Sequence, residues 1–110
     1  MNKLLSVVIP VYNSQTSLPQ LIGRLTSVLD KNCSKYEIIL VNDGSKDQSW
    51  QIIQELSQNY PQIRAYDLMR NFGQHNALLC GIKEAQGDVI VTLDDDLNIL
   101  QNVSPIYWRN

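Results

Sequence analysis

Three consecutive acids, Asp94, Asp95 and Asp96, follow an apolar, β-branched run from Val89 to Leu93. Adjacent carboxylates repel one another and lose solvation, an arrangement that is uncommon without a cation to neutralise it. Their hard oxygens suit Mg²⁺ or Mn²⁺, so the chemistry on offer is a divalent cation carrying a phosphorylated ligand. The plainer alternative is a solvated acidic turn. Asp43 also follows an apolar run. It could accept hydrogen bonds from a ribose or a base N–H, or serve as a helix cap or turn residue. Arg70 and the N–H groups around Gly73 could hold phosphate, or Arg70 could lie across a surface helix. His75, the single histidine, reads as either a solvated side chain at a helix start or a catalytic group.

These residues are only useful together if the fold gathers them. Residues 4–12 read as a buried strand, with Pro10 near its end where a missing N–H does least harm. Leu18, Leu21, Ile22, Leu25, Val28 and Leu29 recur at helical spacing, with Thr16 or Ser17 as cap and Pro19 in the first turn. Residues 36–41 form a second strand, broken at Asn42 to Ser45. Ser45 and Gln48 have capping-box spacing before a helix that buries Trp50, Ile53 and Leu56 and ends at Pro61. Residues 62–68 alternate more and predict a strand nearer an edge. Residues 74–86 predict a third helix burying Ala77, Leu78, Ile82 and Ala85, with Gly87 as its stop.

The order βαβαβαβ predicts an α/β fold, a Rossmann-like open parallel sheet with helices on both faces. Every strand-to-helix junction carries polar residues, and all must meet at the carboxyl edge of the sheet. Separate loops thus become one site.

Composition narrows the function. The 110 residues suffice for one small domain. Nine basic residues stand against eleven acidic ones and are scattered along the chain, so no nucleic-acid patch stands out and no nucleic-acid partner is expected. Cys33 and Cys80 lack metal-ligand spacing and read as reduced thiols. No signal-peptide core or membrane-length apolar run is present, so a cytoplasmic location is expected. No Gly-x-Gly-x-x-Gly follows the first strand and no Gly-Lys-Ser/Thr loop occurs, which argues against a dinucleotide dehydrogenase or a P-loop ATPase. A phosphoacceptor signalling domain also places acids at strand ends, but its late-strand lysine is missing.

Four motifs in order carry a resemblance: residues 6–13, Ser-Val-Val-Ile-Pro-Val-Tyr-Asn; 41–45, Val-Asn-Asp-Gly-Ser; 70–75, Arg-Asn-Phe-Gly-Gln-His; and 93–97, Leu-Asp-Asp-Asp-Leu. Together they resemble the inverting glycosyltransferases of family 2, in particular bacterial polyprenyl-phosphate glycosyltransferases similar to dolichyl-phosphate mannose synthase. The resemblance implies a partial GT-A fold in which residues 1–97 are the nucleotide-sugar-binding half. It implies that Pro10, Val11, Tyr12 and Asp43 surround the base, and that Arg70, Gly73, Asp94 and Asp95 also serve nucleotide binding. Asp94 and Asp96 would hold Mg²⁺ or Mn²⁺, with Asp95 between them not required as a ligand. A UDP-sugar is favoured over a GDP-sugar as donor, and a polyprenyl phosphate is the implied acceptor. Full-length relatives work at the cytoplasmic face of the inner membrane. Ser14 departs from the family, which usually has Glu there, so one nucleotide contact is weakened.

Residues 98–110 leave the pattern, which in the family continues with Gln, a variable residue and Pro-Pro-Glu. Back-translating them with chosen codons and restoring one C yields Gln-Tyr-Pro-Pro-Glu-Cys-Ile-Pro-Asn-Leu-Leu-Glu, so a frameshift is one explanation of the tail. On that reading the catalytic base and acceptor half lie beyond the chain and transfer is impaired. The alternative is then a non-catalytic nucleotide-binding remnant. A bare sheet edge and apolar face would favour self-association as a homodimer.

Overall fold

The computed structural model describes residues 3–95 together with the backbone of residues 103–108. Strand β1 is Leu4–Val11, and its last six residues are all buried, as the unbroken apolar run requires of a central strand. Helix α1, Leu18–Asn32, buries Leu18, Leu21, Ile22, Leu25 and Leu29 and carries a proline in its first turn. Strand β2 is Lys35–Asn42, α2 is Ser49–Asn59 and β3 is Ile63–Asp67. Helix α3 is Gln74–Glu84, β4 is Val89–Leu93 and β5 is Val103–Trp108.

The sheet order is β3-β2-β1-β4-β5. The first four strands in this order are mutually parallel, and β5 joins β4 antiparallel. Strand alternation splits the core in two. Val7, Ile9 and Val11 of β1, with Ile38 and Leu40 of β2, pack on the α1 and α2 side. Val8, Ile39, Val41 and Ile90 pack on the other side with Ala77 of α3 and Ala85 just beyond it. The βαβαβαβ expectation and the edge position of β3 therefore hold.

Several local expectations do not. Strand β5 was not foreseen: it pairs Val89 with Trp108, Ile90 with Tyr107 and Val91 with Ile106, so the edge beyond β4 is covered rather than bare. Its register shifts between Val91 and Leu93, opposite Pro105, which has no N–H to give the ladder. The Ser45–Gln48 capping box does not form, because Ser45 Oγ accepts from Asn13 N and Gln48 N donates to Gln15 Oε1. Ser17 does stand at the N-cap of α1, but its hydroxyl makes no cap bond and goes instead to the Asp95 carbonyl. Val28, expected in the buried stripe, is 47% exposed. Helix α3 ends at Glu84, two residues early, and Gly87 is not a left-handed stop. Gly87 is needed for close approach: its N–H donates to Ser6 Oγ, and a Cβ there would lie 2.8 Å from Leu4 O.

Candidate functional site

Strand β1 lies between β2 and β4, so the chain leaves it in opposite directions and a crevice opens at its carboxyl end. A groove of about 410 Å³ occupies this point. Pro10, Val11 and Tyr12 from the end of β1, Asp43 after β2, Gly73 at the start of α3, and Asp94 and Asp95 after β4 all line it. These are seven of the residues the sequence nominated. Asn71 and Gln74 complete the wall; both belong to the 70–75 motif, though the sequence assigned neither a role of its own. Arg70 is placed apart from this lining, exposed, with its guanidinium carbon 4.7 Å from the centre of the Phe72 ring. Tyr12 is 42% exposed and His75 is exposed at the start of α3. Asp96 lies outside the described residues.

The acids sort by the two-residue alternation of β4. Asp94 follows Thr92 and Ile90 to the α3 side, where its Oδ1 accepts from Gln74 Nε2 at 3.2 Å. Asp95 follows Leu93 to the α1 side. Its Oδ2 accepts from Tyr12 N at 2.9 Å and from Ser14 Oγ at 2.5 Å. One carboxylate therefore faces the groove with a neutral partner, and its neighbour is engaged by the β1–α1 loop.

Asp43 is only 2% exposed. Its N–H donates to Val11 O at 2.9 Å, and its Oδ1 accepts from Phe72 N at 2.7 Å. The sequence left Asp43 open between ligand contact and turn residue; it ties the β3–α3 loop down while lining the groove. Asp43→Ala should cost about 1–2 kcal/mol because the part-buried Phe72 N–H loses its carboxylate acceptor, whereas Asp43→Asn keeps an acceptor and should cost less. Urea midpoints of the two variants check this order.

The β1–α1 and β2–α2 loops are sewn together by side chains. Lys46 N donates to Asn13 Oδ1 at 2.8 Å, and Ser14 N donates to Ser49 Oγ at 2.7 Å. Gln15 N donates to Asp47 Oδ2 at 3.3 Å. Burial pushes the Asp47 carboxyl up, but hydrogen bonds from Ser49 and Gln15 outweigh it and hold the group below its ordinary range. No sequence signal pairs these loops, since their partners lie more than thirty residues apart.

The wall opposite the acids begins with the N-terminus of α3, whose first-turn N–H groups have no intrahelical acceptors and carry partial positive charge. A ligand with phosphates between that terminus and Asp94 would meet donors on one side. On the other it would need a cation to offset the carboxylate. Asp94 offers the hard oxygen such a cation takes, so this end of the groove suits a divalent cation. Among the described residues, no group of three or more metal-binding side chains occurs, so Asp94 would be one ligand and not a complete cage.

Comparison with known proteins agrees with this geometry. The chain is 46% identical over 93 residues to an undecaprenyl-phosphate 4-deoxy-4-formamido-L-arabinose transferase of Pseudomonas fluorescens, a match covering 84% of this chain and 27% of that protein. It is 45% identical over 96 residues to the transferase of the same name from Aeromonas hydrophila, covering 86% and 29%. The chain thus spans less than a third of the length of these relatives. Among solved structures, Staphylococcus aureus TarS 1–349 in complex with UDP-GlcNAc superposes with a TM-score of 0.70 at 27% identity, covering 84% of this chain and 26% of that one. The mannosyltransferase PcManGT of Pyrobaculum calidifontis, in complex with GDP-Man and Mn²⁺, shares the fold with a TM-score of 0.67 at 20% identity, over 84% and 27% of the two chains. The model of the glycosyl transferase family 2 domain matches residues 6–105. With four motifs gathered at one groove and a family match over nearly its whole length, the chain belongs to glycosyl transferase family 2.

Proposed function

We propose that residues 1–97 are the nucleotide-sugar-binding half of an inverting, metal-dependent glycosyltransferase that transfers a sugar to a polyprenyl phosphate. The observation that carries this reading is the groove at the switch point, where residues from all four parallel strands and their loops converge. Pro10, Val11, Tyr12 and Asp43 take the base, and the Gly73 end of α3 takes phosphate. Asp94 and Asp96 hold the divalent cation. When bound, that cation offsets charge on the departing nucleoside diphosphate. UDP is favoured as the nucleotide because TarS is known with UDP and UDP-GlcNAc bound. A polyprenyl phosphate acceptor follows the relatives named as undecaprenyl-phosphate transferases. No helix among the described residues is long and apolar enough to cross a membrane, so contact with a lipid acceptor would come from a surface or from other parts of a longer protein.

Isothermal titration of the chain with UDP and with GDP, each with and without Mn²⁺, tests the reading. UDP should bind more tightly with Mn²⁺, and Asp94→Ala should remove about tenfold of that affinity, the equivalent of one charged contact. Absence of any nucleotide binding would overturn it. Binding without transfer to a polyprenyl phosphate would instead favour a non-catalytic nucleotide-binding module. Self-association through the outer sheet edge and apolar face belongs to the same reading, with β5 rather than β4 now the outer strand there. A clean monomer by light scattering at tens of micromolar would count against that part alone.

A further inference from the structure

We infer that Asp95 is a positioning residue: its carboxylate latches the β1–α1 loop so that Tyr12 is held at the mouth of the groove. This deepens the proposed function and rests on it for the identity of the ligand. Four observations carry it. Asp95 Oδ2 accepts from Tyr12 N at 2.9 Å and from Ser14 Oγ at 2.5 Å, and the Asp95 carbonyl accepts from Ser17 Oγ at 3.0 Å. One residue just beyond β4 therefore holds three points along the loop. The loop is not held by regular structure at this place: Asn13 has a φ of 52°, and Ser14 turns its hydroxyl back within 3.1 Å of Tyr12 O. Tyr12 is 42% exposed, so much of its side chain stands open at the groove. Finally, the alternation of β4 sends Asp94 to the opposite side, toward Gln74, which leaves adjacent carboxylates with separate tasks.

The consequence is a fixed span between the two ends of the groove. The loop that carries Tyr12 and the strand end that carries Asp94 are joined through the next residue in the chain. A ligand bridging them meets a wall whose two halves cannot drift apart independently. Preorganisation of this kind lowers the ordering cost of binding without adding a contact.

Hydrogen exchange and titration on four proteins test the latch: wild type, Asp95→Ala, Asp95→Asn and Asp94→Ala. In Asp95→Ala the Tyr12 amide should exchange about tenfold faster, while the Asp43 amide, bonded to Val11 O, stays as slow as in wild type. UDP affinity measured with Mn²⁺ should fall about tenfold in Asp95→Ala and recover to within about threefold of wild type in Asp95→Asn, which still offers an oxygen to the Tyr12 N–H. Affinity for Mn²⁺ alone should stay within about twofold of wild type in both Asp95 variants and fall clearly in Asp94→Ala. An unchanged Tyr12 exchange rate in Asp95→Ala overturns the latch, as does loss of Mn²⁺ affinity equal to that of Asp94→Ala. If wild type binds no UDP, the proposed function fails, while the exchange comparison still decides the latch. Should Asp95→Ala unfold, Asp95→Asn carries the exchange measurement: its neutral oxygen is a weaker acceptor, so the Tyr12 amide should exchange about threefold faster than in wild type, and an unchanged rate overturns the latch.

Discussion

Gly44→Ala should unfold the site and cost the chain about 3–4 kcal/mol, among the largest effects of any single methyl in this protein. Two causes add. Gly44 has a φ of +67°, where a side chain costs about 1–2 kcal/mol. A Cβ there would also lie 2.3 Å from the Arg70 carbonyl carbon, 2.3 Å from Asn71 N and 2.7 Å from Arg70 Cα. All three atoms are backbone, so no rotamer change relieves the overlap. The β3–α3 loop must move, and with it the Phe72 N–H that Asp43 holds at 2.7 Å. Asn71 and Gly73 would leave the groove wall together. The urea midpoint and the affinity for UDP should therefore fall together. Gly44→Asn separates the causes, because asparagine tolerates positive φ but still carries a Cβ. It should be nearly as damaging as alanine; a midpoint close to wild type would show that strain, not contact, is what Gly44 avoids.

Glu37→Gln should be the second large effect, and it should depend on pH. Glu37 is 7% exposed near the amino end of β2. Its Oε2 accepts from Ser6 Oγ at 2.5 Å and from Gln86 N at 2.7 Å, and its Oε1 accepts from Arg64 Nη1 at 2.9 Å. Arg64 Nη1 also donates to Glu84 O at 3.0 Å, and its other terminal nitrogen donates to the Tyr66 hydroxyl. One carboxylate thus ties β1, β2, β3 and the end of α3 together, at the sheet edge opposite the groove. Glutamine presents an NH₂ where donors converge, so about 2–3 kcal/mol should be lost near neutral pH. Burial pushes the Glu37 carboxyl up, but the bonds from Ser6, Gln86 and Arg64, with the Arg64 charge, outweigh it and hold it below its ordinary value of 4.5. The folded state therefore binds its proton less readily than the unfolded chain. Its contribution is complete above about pH 4.5 and is lost as pH falls through the lowered folded value. The gap in urea midpoint between wild type and Glu37→Gln should be widest near pH 7 and close toward pH 3. Parallel curves over that range would show that the carboxylate charge is not what the network uses.

How much of this was legible beforehand depended on the range over which each feature is encoded. The strand runs at Leu4–Val11 and Val89–Leu93 and the helical spacing of Leu18 to Leu29 are local patterns, and the structure follows them to within a residue or two. The gathering of Pro10, Asp43, Gly73 and Asp94 followed from strand-helix alternation alone, because parallel crossovers leave only one edge for the loops. Cap position was read wrongly at Ser45, where Gln48 is the N-cap, whereas Ser17 does stand at the N-cap of α1 but its hydroxyl makes no cap bond. Both hydroxyls had a local partner available in principle, and in the fold each is taken by a residue from another loop, Asn13 or Asp95.

Residue type and order by themselves settled that this chain is an α/β domain of four parallel strands with its polar loops at one edge, and which carboxylates stand there. They could do so because hydrophobic periodicity is a property of neighbours and crossover handedness is a property of L-residues. Folding in three dimensions determined the rest. It put Asp94 and Asp95 on opposite sides of β4, turned Glu37 into a buried knot, made Gly44 the seat of the β3–α3 loop, and set β5 on the outer edge of β4. Each of these depends on atoms from ten to eighty-three positions apart meeting within hydrogen-bond or van der Waals distance, and such meetings leave no local trace in the order of residues.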